Sequence, residues 1–153
     1  MSLDKDRFET LTQKGKLMYR LTMRLDSSRT EVWKKIASVD EIRAWDSMIM
    51  NIHGEIRDGG LVSLRSSISP DRKFKLKISQ VIPEVGMTWQ SGFYPLFRGV
   101  RKYRLNQEGP YTNLVVEEVF EGWLLPLMKK KLPDCKTLFG TYAVDLRKAL
   151  NGD

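Results

Sequence analysis

The stretch PDCKTLFGTYAVDLRKAL, residues 133–150, decides how the rest of the chain is read. Cys135, Leu138, Phe139, Tyr142, Ala143, Leu146, Ala149 and Leu150 recur at the i, i+3, i+4, i+7 spacing of an amphipathic helix with one broad buried stripe. Lys136, Asp145, Arg147 and Lys148 fall off the stripe and are expected to face water. Pro133 suits the first turn, Asp134 the positive end of the helix dipole, and Gly152 follows the stop. Such a stripe needs a large apolar partner surface. Nearly everything before it reads as β-strand, so the helix is expected to lie across a sheet.

Working back to the start, residues 1–15 are mostly polar, with Leu3, Phe8 and Leu11 as large apolar side chains, and read equally as a short helix or a loose arm. From Lys16 the pattern alternates: Leu17, Tyr19, Leu21, Met23 and Leu25 share one face of a strand. Asp26-Ser27-Ser28 breaks it, with Ser27 or Ser28 available as a helix N-cap. The helical stretch that follows carries Val32, Trp33, Ile36, Val39, Ile42 and Trp45, and Ser38-Val39-Asp40 divides it into a short pair. Strands are then expected at 49–55, 61–67, 73–81, 87–93, 99–105 and 113–120. Turn signals at Arg57-Asp58-Gly59-Gly60, Pro70-Asp71, Pro83-Glu84-Val85-Gly86 and Gln107-Glu108-Gly109-Pro110 separate them. The fold class is therefore α+β: a curved antiparallel meander wrapped around a C-terminal helix. A bent sheet and a straight rod cannot meet everywhere, so the middle of such a fold can stay hollow.

The 153 residues suit one domain, and 41% hydrophobic with 29% charged residues is a globular composition. No apolar run is long enough to span a bilayer, and the N-terminus lacks the apolar core of a signal peptide. The single cysteine, Cys135, excludes an internal disulfide, suits a cytoplasmic location, and lies on the apolar stripe, where a packed thiol is expected. A net charge of +7 raises nucleic acid or an anionic membrane as partners. The basic residues are dispersed, however: Lys73, Lys75 and Lys77 alternate with Phe74, Leu76 and Ile78, as on the wet face of a strand. No nucleic-acid recognition motif is present, and no specific nucleic-acid role is expected. His53 is the sole histidine and lacks neighbours at metal-ligand spacing, so no metal or other cofactor is expected. Gly59-Gly60 sits in a hairpin turn, not in a phosphate-binding loop.

Glu31-Val32-Trp33 at a helix start, Trp45 at its end, Met87-Thr88-Trp89, the run 97–105 ending in Tyr103-Arg104-Leu105, and Glu118-Val119-Phe120-Glu121-Gly122 before the long helix follow one another in a distinctive order. In this order and spacing the chain resembles the START-like superfamily, also called SRPBCC, in its polyketide cyclase/dehydrase and lipid-transport branch. The resemblance spans residues 16–150. It implies a helix-grip fold, with about seven strands gripping the last helix around an elongated apolar cavity. It also implies binding or transport of a small, mostly apolar ligand such as a lipid or polyketide. Members of the superfamily differ in function, so the resemblance fixes no reaction. The chain departs from the family pattern at Asp46-Ser47 and at Arg101, each putting a charge at the expected cavity mouth or wall.

Period-two alternation places Arg101, Tyr103 and Leu105 on one face of their strand and Leu114, Val116, Glu118 and Phe120 on one face of the next. If these faces line the cavity, Arg101 and Glu118 are inward charges on adjacent strands, and desolvating either alone costs several kcal/mol. Two readings follow. The charges satisfy each other, or Arg101 receives a carboxylate, phosphate or enolate oxygen of the ligand. The ligand-binding set expected from the resemblance is Trp45, Trp89, Arg101, Tyr103, Glu118, Phe120, Phe139 and Tyr142. Carriage or sensing is the preferred function; the alternative is a cyclase/dehydratase in which Arg101 and Tyr103 hold an enolate and Glu118 acts as base. The segment 122–132, apolar bulk followed by Lys129-Lys130-Lys131, is a candidate for transient contact with an anionic membrane. Three lysines are fewer than the four to eight usual in lipid-reading clusters, so the preferred reading is a plug closing one cavity end, with the apolar loop 93–97 as the opposite lip.

Overall fold

The computed structural model describes residues 6–152. Two strands open the chain, β1 (Arg7–Gln13) and β2 (Lys16–Leu25), followed by the helices α1 (Arg29–Ile36) and α2 (Val39–Trp45). Six more strands follow: β3 (Ile49–Gly54), β4 (Leu61–Ser66), β5 (Ser69–Ile82), β6 (Gly86–Phe93), β7 (Phe97–Glu108) and β8 (Tyr111–Glu121). A short helix α3 (Leu125–Met128), a 3-10 turn (Lys129–Lys131) and the long helix α4 (Cys135–Asn151) complete it. The strands make one antiparallel eight-stranded sheet in the order β1-β2-β8-β7-β6-β5-β4-β3. The fold class expected from the sequence is the one observed.

The local signals act as their chemistry dictates. Ser28 accepts the Glu31 N–H at 3.2 Å and Ser38 accepts the Glu41 N–H at 3.3 Å, so each short helix begins on its own serine cap. Asp134 accepts the Thr137 N–H at 3.2 Å at the start of α4, and Gly152, with φ 79°, ends it in the left-handed conformation. Phe139, Tyr142, Ala143 and Leu146 of α4 are buried in one core with Leu21, Met23 and Leu25 of β2 and Leu114 and Val116 of β8. Val32, Ile36 and Ile42 of the short helices close the same core. Register shifts in the β3–β4, β4–β5 and β5–β6 ladders, the last beside Gln80 at φ 53°, bend the sheet around the helix.

Three expectations are corrected. Residues 1–15 were expected as an arm or short helix; Arg7–Gln13 instead form edge strand β1, paired with β2 from Arg7↔Thr22 to Gln13↔Lys16, while residues 1–5 lie outside the described residues. This strand raises the count from about seven to eight. The turn expected at Pro70-Asp71 lies at Ser67-Ile68, and Pro70 sits near the start of β5. Arg147, expected in water, is buried at 9% exposure. Its guanidinium pairs with Asp6 and donates to the Arg24 carbonyl at 3.0 Å, so it fastens the residue before β1 to α4 and to the end of β2.

Arg147 and its neighbour Lys148 thus differ in environment although sequence periodicity treats them alike. Arg147→Met is expected to lower the unfolding free energy by about 3 kcal/mol, because it strands a largely buried carboxylate. Lys148→Met is expected to change it by less than about 0.5 kcal/mol. Urea denaturation of both variants checks the contrast.

Candidate functional site

Antiparallel register sets the site. Trp89 of β6 stands opposite Arg101 of β7, Arg101 opposite Glu118 of β8, and Glu118 opposite Tyr19 of β2, all on the concave face. Arg101 Nη2 lies 3.5 Å from Glu118 Oε1, and the two side chains retain 26% and 15% exposure. The Arg101 guanidinium also lies over the Phe139 ring of α4, 5.3 Å from its centroid. One step along the strands Tyr103 stacks obliquely on Trp89 at 5.6 Å, and in the other direction Gly99 faces Phe120. A Cβ on Gly99 would sit 3.2 Å from the Phe120 ring, so the glycine leaves the ring its place.

Between this face and α4 lies a partly enclosed cavity of about 160 Å³. Trp89, Arg101, Tyr103, Glu118, Phe120, Phe139 and Tyr142 line it together. Trp45 does not. Its indole N–H donates to the Lys35 carbonyl at 2.9 Å, and its ring meets the Tyr142 ring edge-on at 5.2 Å, so it braces Tyr142 from outside. The residue after it, Asp46, does line the cavity, as does Arg72 of β5. Arg72 was missed from the sequence, although it shares strand parity with the inward Phe74 and Leu76. A second depression, between the start of α2 and the end of β3, is open to solvent and bordered by Asp40, Arg43, the exposed His53 and Glu55. Among the described residues no cluster of His, Cys, Asp or Glu has the makings of a metal site.

The electrostatics follow from burial. Desolvation pushes the Glu118 carboxyl above its usual range, and the Arg101 charge only partly offsets this. Desolvation also works against the Arg101 charge, but Glu118 and Tyr103 outweigh it and hold the guanidinium protonated more firmly than usual. Burial raises Tyr103 and raises Tyr142 further, which keeps both phenols as neutral O–H groups near pH 7. Asp46 is raised by burial, although it accepts the Met48 N–H at 3.1 Å. Cys135, packed with Leu17, Phe120 and Leu125, is pushed up to about 12, mainly by burial, and is no nucleophile. The Trp89 indole N–H is buried and finds no acceptor among the described residues.

The two apolar loops expected on opposite lips meet instead at one end of the sheet. The Trp123 N–H donates to the Pro95 carbonyl and the Leu124 N–H to the Leu96 carbonyl, both at 2.9 Å.

No protein-family model matches the sequence, and no curated protein matches it. Solved structures do resemble the fold. The crystal structure of CalU16 from Micromonospora echinospora has a TM-score of 0.69 at 18% identity, over 97% of this chain and 84% of that one. A protein from Arthrobacter aurescens, solved in solution, gives 0.70 at 12% identity over 95% and 92%. MLL2253 from Mesorhizobium loti gives 0.71 at 14% identity over 88% and 96%. At these identities the likeness concerns the helix-grip architecture alone.

The raised Asp46 carboxyl carries a signed prediction. Folding favours its protonated form, so the stability it contributes is fully present below its unfolded pKa, near 4, and is lost as pH rises through the higher folded value. Asp46→Asn keeps an acceptor for the Met48 N–H and removes the charge. The variant is expected to melt higher than the native chain at pH 7, with the difference shrinking as pH falls toward 4. Thermal melts across that range check it.

Proposed function

We propose that the chain binds a small, mostly apolar molecule between the sheet and α4 and reads its polar end with the Arg101–Glu118 pair. Membership of the START-like/SRPBCC superfamily belongs to the same reading, and the helix-grip architecture supports it. One observation carries the proposal: an ion pair at 3.5 Å stands in the wall of a cavity lined mainly by aliphatic and aromatic side chains. For stability alone, well-packed apolar residues of similar volume serve as well or better. Ligand recognition gives the pair a use.

Size and charge narrow the ligand. A cavity of about 160 Å³ is close to the ~150 Å³ engineered cavity that takes up benzene. The enclosed part therefore suits a ring system or a short chain rather than a whole sterol or two-tailed lipid. Arg101 already has Glu118 as counterion, so an anionic ligand must displace a buried carboxylate, which then takes up a proton. A neutral hydroxyl or carbonyl adds hydrogen bonds without breaking the pair. Tyr103, Tyr142 and the unpartnered Trp89 N–H supply further donors. A neutral polar end is thus favoured over the carboxylate or phosphate that Arg101 alone suggests.

A second reading, an enzyme of the cyclase/dehydratase kind, is favoured by the raised Glu118 carboxyl beside Arg101 and Tyr103. A base tuned toward neutrality next to oxyanion donors is what proton abstraction requires. Under that reading Glu118→Gln abolishes turnover and spares binding.

Titration with 1-naphthol and 1-naphthoate tests the binding proposal. Naphthol is expected to bind with an affinity that stays flat from about pH 5 to 8. Naphthoate is expected to bind more weakly, and to weaken further as pH rises, because its entry requires Glu118 to be protonated. Glu118→Gln is expected to flatten that pH dependence. Arg101→Met is expected to weaken naphthol by about tenfold, the scale of one hydrogen bond to a charged group. Unchanged affinity in Arg101→Met would leave the pair a structural feature only.

A further inference from the structure

The end of the sheet where the two apolar loops meet has more to it than a plug. The end of β6 and the loop after it present Phe93, Tyr94 and Leu96, and the segment after β8 presents Trp123, Leu124 and Leu127. Gly122 makes the junction: its φ of 127° is open to glycine, and a Cβ there would lie 2.4 Å from the Leu96 carbonyl oxygen. These six side chains are half of the twelve large apolar ones exposed among the described residues. Phe93, Trp123 and Leu127 are 74%, 75% and 73% exposed. Apolar side chains gathered on one spot mark an interaction surface, whereas scattered ones do not.

The exposed charge around the spot is mostly positive. Lys129, Lys130 and Lys131 follow Leu127 after Met128 and are exposed. The β1–β2 hairpin adds Lys14 and Lys16, because Lys16 pairs with Glu121, the residue before Gly122. Five exposed lysines therefore border this end, within the four to eight of lipid-reading clusters, whereas the lysine run in the sequence counts three. The nearby carboxylates are engaged. Glu121 pairs with Arg98 at 3.3 Å, and Asp134 caps α4 through Thr137. Arg98 also covers the Tyr94 ring at 4.7 Å.

We propose that this end docks on an anionic bilayer surface, its apolar side chains entering the acyl boundary while the lysines stay among the headgroups. Charge complementarity selects the occupant: a lipid surface offers both the apolar depth and the negative potential that the patch lacks. Among the described residues no helix is long and apolar enough to cross a membrane. Phe97, Leu132 and Pro133 lie next to the patch and line the cavity, so docking brings a cavity wall to the bilayer. The docking stands whether or not the cavity holds the ligand proposed above.

Flotation of the full chain with phosphatidylcholine vesicles, with and without phosphatidylserine, is the test. The chain is expected to float with the serine-containing vesicles at low salt and to be released as salt screens the lysines. Trp123→Ser with Leu127→Ser, both at exposed positions, is expected to abolish flotation with an unchanged thermal melt. Lys14→Gln with Lys16→Gln is expected to weaken partitioning by about fivefold per lysine, equivalent to ~1 kcal/mol each. No flotation with anionic vesicles at low salt overturns the proposal, as does flotation that the Trp123→Ser, Leu127→Ser chain retains. Dimerisation that the same pair of substitutions abolishes, without vesicle binding, assigns the patch to a second copy and also overturns it.

Discussion

The ladder between β2 and β8 is the contact on which the rest of the molecule depends. It runs from Lys16↔Glu121 to Leu25↔Thr112 and joins strands from opposite ends of the chain, whereas every other ladder joins strands adjacent in sequence. It therefore decides the edges of the sheet, β1 and β3, and the composition of its concave face. Leu17, Tyr19 and Leu21 come to stand beside Phe120, Glu118 and Val116, and the stripe of α4 has one extended apolar surface on which to lie. Closing so long a loop costs little more than closing a short one, since loop entropy grows only logarithmically. Burial along a ten-residue ladder and under a four-turn helix is large by comparison.

The same register that builds the core also confines two charges. Arg101 and Glu118 face each other because β7 and β8 pair in that phase; a shift of one residue would turn both side chains to the outer face. On that outer face Glu117 is buried too, but it lies between two guanidinium groups, those of Arg20 and Arg104. On the concave face Arg101 and Glu118 depend on each other. Burial raises Glu118, Asp46, Tyr103 and Tyr142 together, whereas Arg101 beside them holds its charge more firmly than usual.

The hollow and the apolar end share a geometric origin. A curved sheet touches a straight helix along part of its length, and the chain closes the remainder with the segment between β8 and α4. One side of that segment, Leu125, is buried with Cys135 and Phe120; the other, Trp123 and Leu127, faces out beside Phe93 and Tyr94. The segment is thus a plug on its inner side and a surface on its outer side. The plug expected from the sequence describes its inner side; the membrane contact proposed above concerns its outer side.

Much of this was legible in the residues alone. The i, i+3, i+4 stripe of α4, the alternation in β2, β5, β7 and β8, and the serines before α1 and α2 are local signals, and each acts within a few residues of itself. The inward pairing of Arg101 with Glu118 was legible too, since parity along two neighbouring strands needs no long-range information. Beyond that the sequence is silent. Polar Arg7–Gln13 becomes a strand because the edge of β2 offers it hydrogen bonds, and Arg147 is buried where Asp6 and the Arg24 carbonyl come to meet it. Trp45 turns from the cavity to the Lys35 carbonyl, the two apolar loops join at Gly122, and Lys14 and Lys16 meet the lysine run. The size of the cavity belongs with these. Periodicity tells which face of an element is apolar, but which distant group comes to lie opposite is decided by the packing of all elements at once, and only the tertiary structure holds that answer.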